Sequence, residues 1–85
     1  MTEQEIQKFS DDYISQTHVR VNLKKRGWQV KLVRFTKSPE KFYYGQCYIE
    51  EKTIKLNMEI LEFISDNEII DTIKHEVAHA LASIK

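Results

Sequence analysis

The chain has very few of the features that mark a secreted or membrane-bound protein. A single cysteine, Cys47, stands among its 85 residues, so no internal disulfide can form, which suits a reducing compartment. No apolar run approaches the roughly 18 residues of a membrane span, and Met1–Glu5 is acidic and polar, the opposite of a secretory signal. Repeats, low-complexity tracts and linkers are also missing. These absences predict one small cytoplasmic domain over residues 1–85, with no membrane partner.

Net charge is missing as well, since 13 lysines and arginines balance 13 aspartates and glutamates. The charges are segregated, however, because residues 18–41 contain eight basic residues and a single acid, Glu40. Such a block could follow a phosphate backbone, with Trp28 stacking on an unpaired base. The alternative is an ordinary solvated surface that acidic helices neutralise. The candidates for weak, nonspecific DNA contact are Lys24, Lys25, Arg26, Trp28, Lys31 and Arg34.

Alternating apolar residues predict three strands, at residues 28–35, 42–49 and 53–56. The polar turn Glu50–Lys52 between the second and third strands predicts an antiparallel hairpin. The alternation within His18–Leu23 fits either a strand or a ragged helix end, and the pattern does not decide between them.

Two capping boxes predict where the first and last helices begin. Thr2–Glu5 precedes an amphipathic helix that extends to about Gln16, and Ser65–Glu68 opens a long C-terminal helix. Asn57 is placed to cap a short helix between the third strand and the last helix. The sequence therefore predicts an α+β fold, in which an N-terminal helix and a three-stranded, mainly antiparallel sheet back the long C-terminal helix.

The last helix carries the pattern His75-Glu76-Val77-Ala78-His79. At about 100° per residue, His75 and His79 fall within about 40° of each other, away from the centre of an unbroken apolar stripe. They are therefore not core residues, and the remaining alternative to a metal site is simple exposure to solvent. Histidines at i and i+4 can supply two corners of a tetrahedral zinc shell, and Glu76 can act as general base on the zinc-bound water. The stripe comprises Ile69, Ile70, Ile73, Val77, Ala80, Leu81 and Ile84.

The stretch from Tyr43 to Lys85 resembles the SprT-like metallopeptidase domain. The resemblance implies a zincin-like fold and zinc bound by His75 and His79, with Glu76 as general base. It also implies peptidase activity, which in some members acts on proteins crosslinked to DNA. The similar positions form a Gly-x-Cys strand, an Ile-x-Leu-Asn strand end and a Thr-x-x-x-His-Glu-x-x-His-Ala-Leu helix: Gly45, Cys47, Ile54, Leu56, Asn57, Thr72, His75, Glu76, His79, Ala80 and Leu81.

One family feature has no counterpart, because the third zinc ligand in that family is a histidine after the active-site helix. No histidine follows His79 here, and the Cys-rich zinc ribbon of some members is also missing. As substitutes, His18 lies far upstream, and Cys47 in an aromatic strand fits a small buried hydrophobe. Two functions stay open. The chain is a zinc peptidase-type domain whose metal shell is completed by water, substrate or a partner chain, or a non-catalytic remnant that binds protein or nucleic acid, for example as an inhibitor.

Overall fold

The computed structural model describes residues 1–16, 21–34 and 43–84. Within these ranges the predicted order of elements is confirmed, with an N-terminal helix, a three-stranded sheet, a short helix and a long last helix. The α+β class is confirmed with it. The elements are α1 (Glu3–Gln16), a 3-10 helix (Lys24–Arg26), β1 (Gln29–Val33), β2 (Gly45–Tyr48), β3 (Thr53–Asn57), α2 (Met58–Leu61) and α3 (Asp66–Ala82).

The predicted helix starts are confirmed by their hydrogen bonds. The amide of Glu5 donates to Thr2 Oγ1 at 3.1 Å, and the amide of Thr2 donates to the Glu5 carboxylate at 2.7 Å, which completes the capping box of α1. Ser65 Oγ accepts from the amide of Glu68 at 3.2 Å and begins α3. Asn57 caps α2, since its side-chain oxygen accepts a first-turn amide at 3.0 Å. Local sequence therefore fixes where each helix begins.

The sheet is mixed, which corrects the prediction of a mainly antiparallel sheet. Its strand order is β1-β3-β2. β2 and β3 form the predicted antiparallel hairpin, but β1 pairs with the other edge of β3 and runs parallel to it. A parallel pair needs a long connection between its strands, and residues 34–52, which include β2, supply that length. Alternation identifies a strand without revealing its neighbour or its direction, so the sequence pattern could not predict this pairing.

Both long helices pack on the sheet, α1 against β1 and α3 against β2. β3 lies between the two other strands and is buried over most of its length. The middle of the apolar stripe predicted for α3 is buried in the same core. The edge of α3 that carries the His-Glu pattern therefore lies beside β2. The buried apolar side chains are Ile6, Ile14, Leu23, Trp28, Val30, Ile54, Leu56, Met58, Leu61, Ile69, Ile73, Val77 and Ala80.

None of the helices in the described ranges has both the length and the apolar character needed to cross a membrane. The single domain over residues 1–85 and the cytoplasmic location stay predictions from the sequence. His18, weighed as a substitute zinc ligand, lies outside the described residues.

Candidate metal centre

The two histidines of the pattern meet on the exposed side of α3. Their Nε2 atoms lie 3.1 Å apart. The ring centroids are 4.6 Å apart, with the planes at 89° to each other. Four residues make slightly more than one helical turn, so the helix itself brings the two rings together. The helix therefore holds the Nε2 atoms of His75 and His79 within hydrogen-bond distance of each other on its exposed side.

This separation fits a zinc ion. A tetrahedral zinc ion with imidazole nitrogens at about 2.05 Å holds those nitrogens about 3.3 Å apart. The observed 3.1 Å is close to that value. No cluster of three or more His, Cys, Asp or Glu side chains suited to a metal occurs in the part of the chain that the structure describes. Among the described residues, His75 and His79 are therefore a candidate pair of zinc ligands and not a complete metal site.

Glu76 lies between the two histidines in sequence but points toward the sheet rather than into open solvent. Only 7% of its surface is exposed. Burial raises the pKa of Glu76, and the nearby charges of His75 and His79 oppose that rise without cancelling it. No hydrogen bond from a described residue contributes to this shift. Glu76 therefore lies beside the sheet, in surroundings that favour its protonated form.

Two clefts open on either side of Glu76, between α3 and β2. The cleft on the His75 side has a volume of about 560 Å³, and the cleft on the His79 side about 430 Å³. Gly45, Tyr43 and Glu76 border both. The pattern on α3 is therefore open to a ligand along the strand that faces it.

The tyrosines at this site are functional candidates that sequence reasoning missed. Tyr43 is 53% exposed and Tyr44 43% exposed, and both line the larger cleft. The sequence shows two adjacent aromatics just before a short strand. Successive strand residues point to opposite faces, so both tyrosines could not have entered one core. That adjacency was the available signal.

Cys47 behaves as the sequence predicts for a small hydrophobe. It is partly buried and packs against the core. Burial, and then the charge of Glu76, raises the pKa of its thiol. Among the described residues, Cys47 does not join the two histidines in a group suited to a metal ion.

The residues predicted to contact DNA do not form one surface. Trp28 is only 5% exposed and belongs to the core, so its predicted role in stacking on a base is wrong. A large indole gains more by burial than by exposure, and the strand that follows it packs under α1. Arg34 forms ion pairs with two acids: its Nη2 lies 2.6 Å from Glu3 Oε1, and the same atom also contacts the carboxylate of Glu62. These carboxylates raise the pKa of Arg34 further and neutralise its charge locally.

Part of the predicted basic surface does remain. Lys24, Lys25 and Arg26 are exposed on the 3-10 helix, and Lys31 is exposed on β1. Lys52 joins the 3-10 helix from the hairpin turn, because its Nζ donates to the carbonyl of Arg26 at 3.0 Å. We call Lys24, Lys25, Arg26 and Lys52 the basic turn. Lys52 lies 26 residues from Arg26 in sequence, so no local pattern could have added it.

The chain belongs to the SprT-like family, whose model matches residues 3–85. The match therefore includes α1 and β1 in addition to the stretch from Tyr43 onward that carries the resemblance in sequence. Members of this family generally depend on zinc. Among curated proteins, none matches this chain.

Proposed function

We propose that this chain is a zinc metallopeptidase-type domain, in which His75 and His79 bind zinc and Glu76 is the general base. The observation that carries the proposal is the 3.1 Å approach of the two Nε2 atoms, with a buried carboxyl on the intervening turn of the same helix. Membership of the SprT-like family supports it, because the three residues match that family's His-Glu-x-x-His pattern.

Zinc, when bound, would polarise the peptide carbonyl and lower the pKa of a coordinated water to about 7. The remaining chemistry falls to Glu76. Its carboxylate can accept a proton from the attacking water and return it to the departing amine nitrogen.

A peptide substrate has a strand to pair with beside this base. β2 is an edge strand of the sheet, as far as the described strands show. The amide of Asn57 donates to the carbonyl of Tyr44 at 2.9 Å, and hydrogen-bonded pairs alternate along an antiparallel ladder. The backbone groups of Gly45 and Cys47 therefore face away from β3. An extended peptide can add to these groups as a further strand, and this would bring its backbone to the two clefts.

The rate of this chain alone should be low. Two protein ligands leave the position of the metal and its water only partly fixed, and that positioning is the main contribution of a protein to metal-assisted hydrolysis. Water, the substrate or a partner chain would fill the remaining positions. If none of them does so productively, the same surface serves as a protein-binding module without catalysis.

The test is to measure zinc binding and peptide cleavage on matched variants. We expect calorimetry to show zinc binding to the wild type and to Glu76→Gln, and none to His79→Ala. We expect slow zinc-dependent cleavage of an unstructured peptide by the wild type only. Equal heats of zinc binding for the wild type and His79→Ala would contradict a zinc site at these histidines. Zinc binding without cleavage by the wild type would favour the non-catalytic module.

The basic turn favours a second function, weak binding of nucleic acid, with DNA-associated proteins as substrates or partners. Its four cations come from two segments that a hydrogen bond holds together. Phosphate contacts of this kind depend on counterion release, so binding must weaken steeply as salt rises. Single-stranded DNA binding at low and physiological salt should be lost when Lys24, Lys25 and Arg26 are changed to glutamate. Binding that survives this reversal would place any DNA contact elsewhere.

A further inference from the structure

Gly45, the first residue of β2, lies where a side chain would be crowded by its neighbours. A Cβ built on Gly45 would lie 3.2 Å from Glu76 Cγ, 3.2 Å from Leu56 Cδ2 and 3.2 Å from the Lys55 carbonyl oxygen. Its backbone does not explain the glycine, because Gly27 is the glycine with a positive φ among the described residues. The requirement at Gly45 is therefore one of space and not of backbone conformation.

The three neighbours of Gly45 differ in how readily they can move. The Lys55 carbonyl belongs to β3, the strand that pairs on both edges. Leu56 is fully buried in the core. Glu76 is a flexible side chain that borders two clefts. A methyl group at position 45 would therefore be accommodated mainly by rotation of the Glu76 side chain away from β2.

We propose that Gly45 is a positioning residue for Glu76. Its missing side chain lets α3 approach β2 so closely that the Glu76 carboxyl is buried beside the strand, on the same turn as the two histidines. This inference rests on the proposed function, since it assigns to Gly45 the placement of the general base. It also gives a physical reason for a glycine at this position of the Gly-x-Cys strand.

The contact itself is tested by a stability cycle that needs no catalysis. Gly45→Ala should raise the equilibrium constant for unfolding by about tenfold, because overpacking destabilises the folded protein. In a Glu76→Ala background, which has no Cγ, the same change should cost clearly less, about threefold, because only Leu56 and the Lys55 carbonyl remain close. Equal costs in the two backgrounds would overturn the proposal.

Gly27→Ala is the matched control for this cycle. It is strained because Gly27 has a φ of 92°, and the nearest atom to its added Cβ is Lys52 Cδ at 3.7 Å. This change should therefore destabilise the protein equally in the presence and absence of the Glu76 side chain. Zinc binding at His75 and His79 should be unaffected by it.

Positioning is tested by a second readout that simple destabilisation would not change. In folded protein labelled with ¹³C at glutamate, zinc should shift the Glu76 carboxyl resonance of the wild type, and Gly45→Ala should reduce that shift. Zinc affinity should stay within about twofold of the wild type, since neither histidine supplies one of the three atoms nearest to a Cβ at position 45. Cleavage should fall by about 100-fold, as expected for a base displaced by about 1 Å.

The possible results separate the two proposals. An unchanged Glu76 shift in Gly45→Ala, or cleavage at the wild-type rate, contradicts the positioning role. A wild type that binds no zinc or cleaves no peptide contradicts the proposed function. In that case the stability cycle still decides whether Gly45 makes room for Glu76.

Discussion

The helix face around His75 and the basic segment from Lys24 to Arg34 were both predicted as sites, yet only the first is assembled. His75, Glu76 and His79 lie on one helix, so their relative positions follow from helical geometry alone. The basic segment spans a 3-10 helix and a strand, so the sheet and the core decide where each side chain goes. A motif contained in one helix is therefore a far more secure prediction than a charge run that crosses several elements.

The largest expected effect comes from Trp28, which was predicted as an exposed residue of the basic segment and is buried in the core. Trp28→Ala should lower the free energy of unfolding by about 3–5 kcal/mol, because it removes a large buried side chain from a small core. Denaturant unfolding measures this loss. Lys25→Ala, an exposed change in the same segment, should stay within about 0.5 kcal/mol of the wild type. A loss of less than about 1 kcal/mol for Trp28→Ala would contradict the burial of the indole in the core.

Zinc should stabilise the protein through the helix face alone. At a free zinc concentration of about 100 times its Kd, the free energy of unfolding should rise by about 2.7 kcal/mol. His79→Ala should abolish this rise, because the single imidazole that remains on the helix face binds zinc too weakly to stabilise the fold. His18→Ala is the control, since His18 is the other histidine of the chain. A loss of the zinc response in His18→Ala would make that residue a third ligand.

Lys52 should contribute to any DNA binding, although it lies outside the basic segment of the sequence. Lys52→Glu should weaken binding of single-stranded DNA at low salt and reduce the magnitude of the salt slope by about 1. Glu51→Gln, its neighbour in the hairpin turn, should leave the slope unchanged. Binding curves at several salt concentrations measure both. An unaltered salt slope for Lys52→Glu would show that Lys52 makes no contact with DNA phosphates.

The smallest expected effect concerns the acids that engage Arg34. A hydrogen bond from Arg34 lowers the pKa of Glu62 in the folded state. A group with a lowered folded pKa stabilises the protein above its unfolded pKa and loses that contribution as the pH falls through its folded pKa. The stability of the wild type should therefore decline slightly more steeply with acid than that of Glu62→Gln. Unfolding curves between neutral and acidic pH test this, with Glu59→Gln as control.

Much of the fold followed from local sequence signals. The capping residues Thr2, Ser65 and Asn57 marked the helix starts, because a side chain that caps a helix acts within three residues of itself. The hairpin and the His-Glu pattern were equally local. The parallel pairing of β1 with β3 was not predicted, because it is not local: it joins Gln29 to Thr53, and β2 lies between them in the sequence.

The site was predicted only as far as α3 defines it. The roles proposed for His75, Glu76 and His79 follow from their spacing. The clefts beside them depend on how closely α3 and β2 pack, and that distance is set by Gly45, which the sequence shows only as a glycine in a strand. Tertiary packing likewise decided that Trp28 is buried and that Arg34 meets one acid from α1 and another from the residue after α2.

The parallel pairing of β1 with β3 also orders the events of folding. The β2–β3 hairpin closes a short turn, whereas β1 must find a partner 24 residues away, from Gln29 to Thr53. Long closures are slower and cost more chain entropy, so we expect the hairpin and α3 to form the nucleus, with β1 and α1 adding afterwards. Destabilising changes in β3 should then slow folding, while those in β1 should mainly speed unfolding, which stopped-flow kinetics can separate. The half of the chain that carries the proposed zinc ligands would thus acquire its structure first.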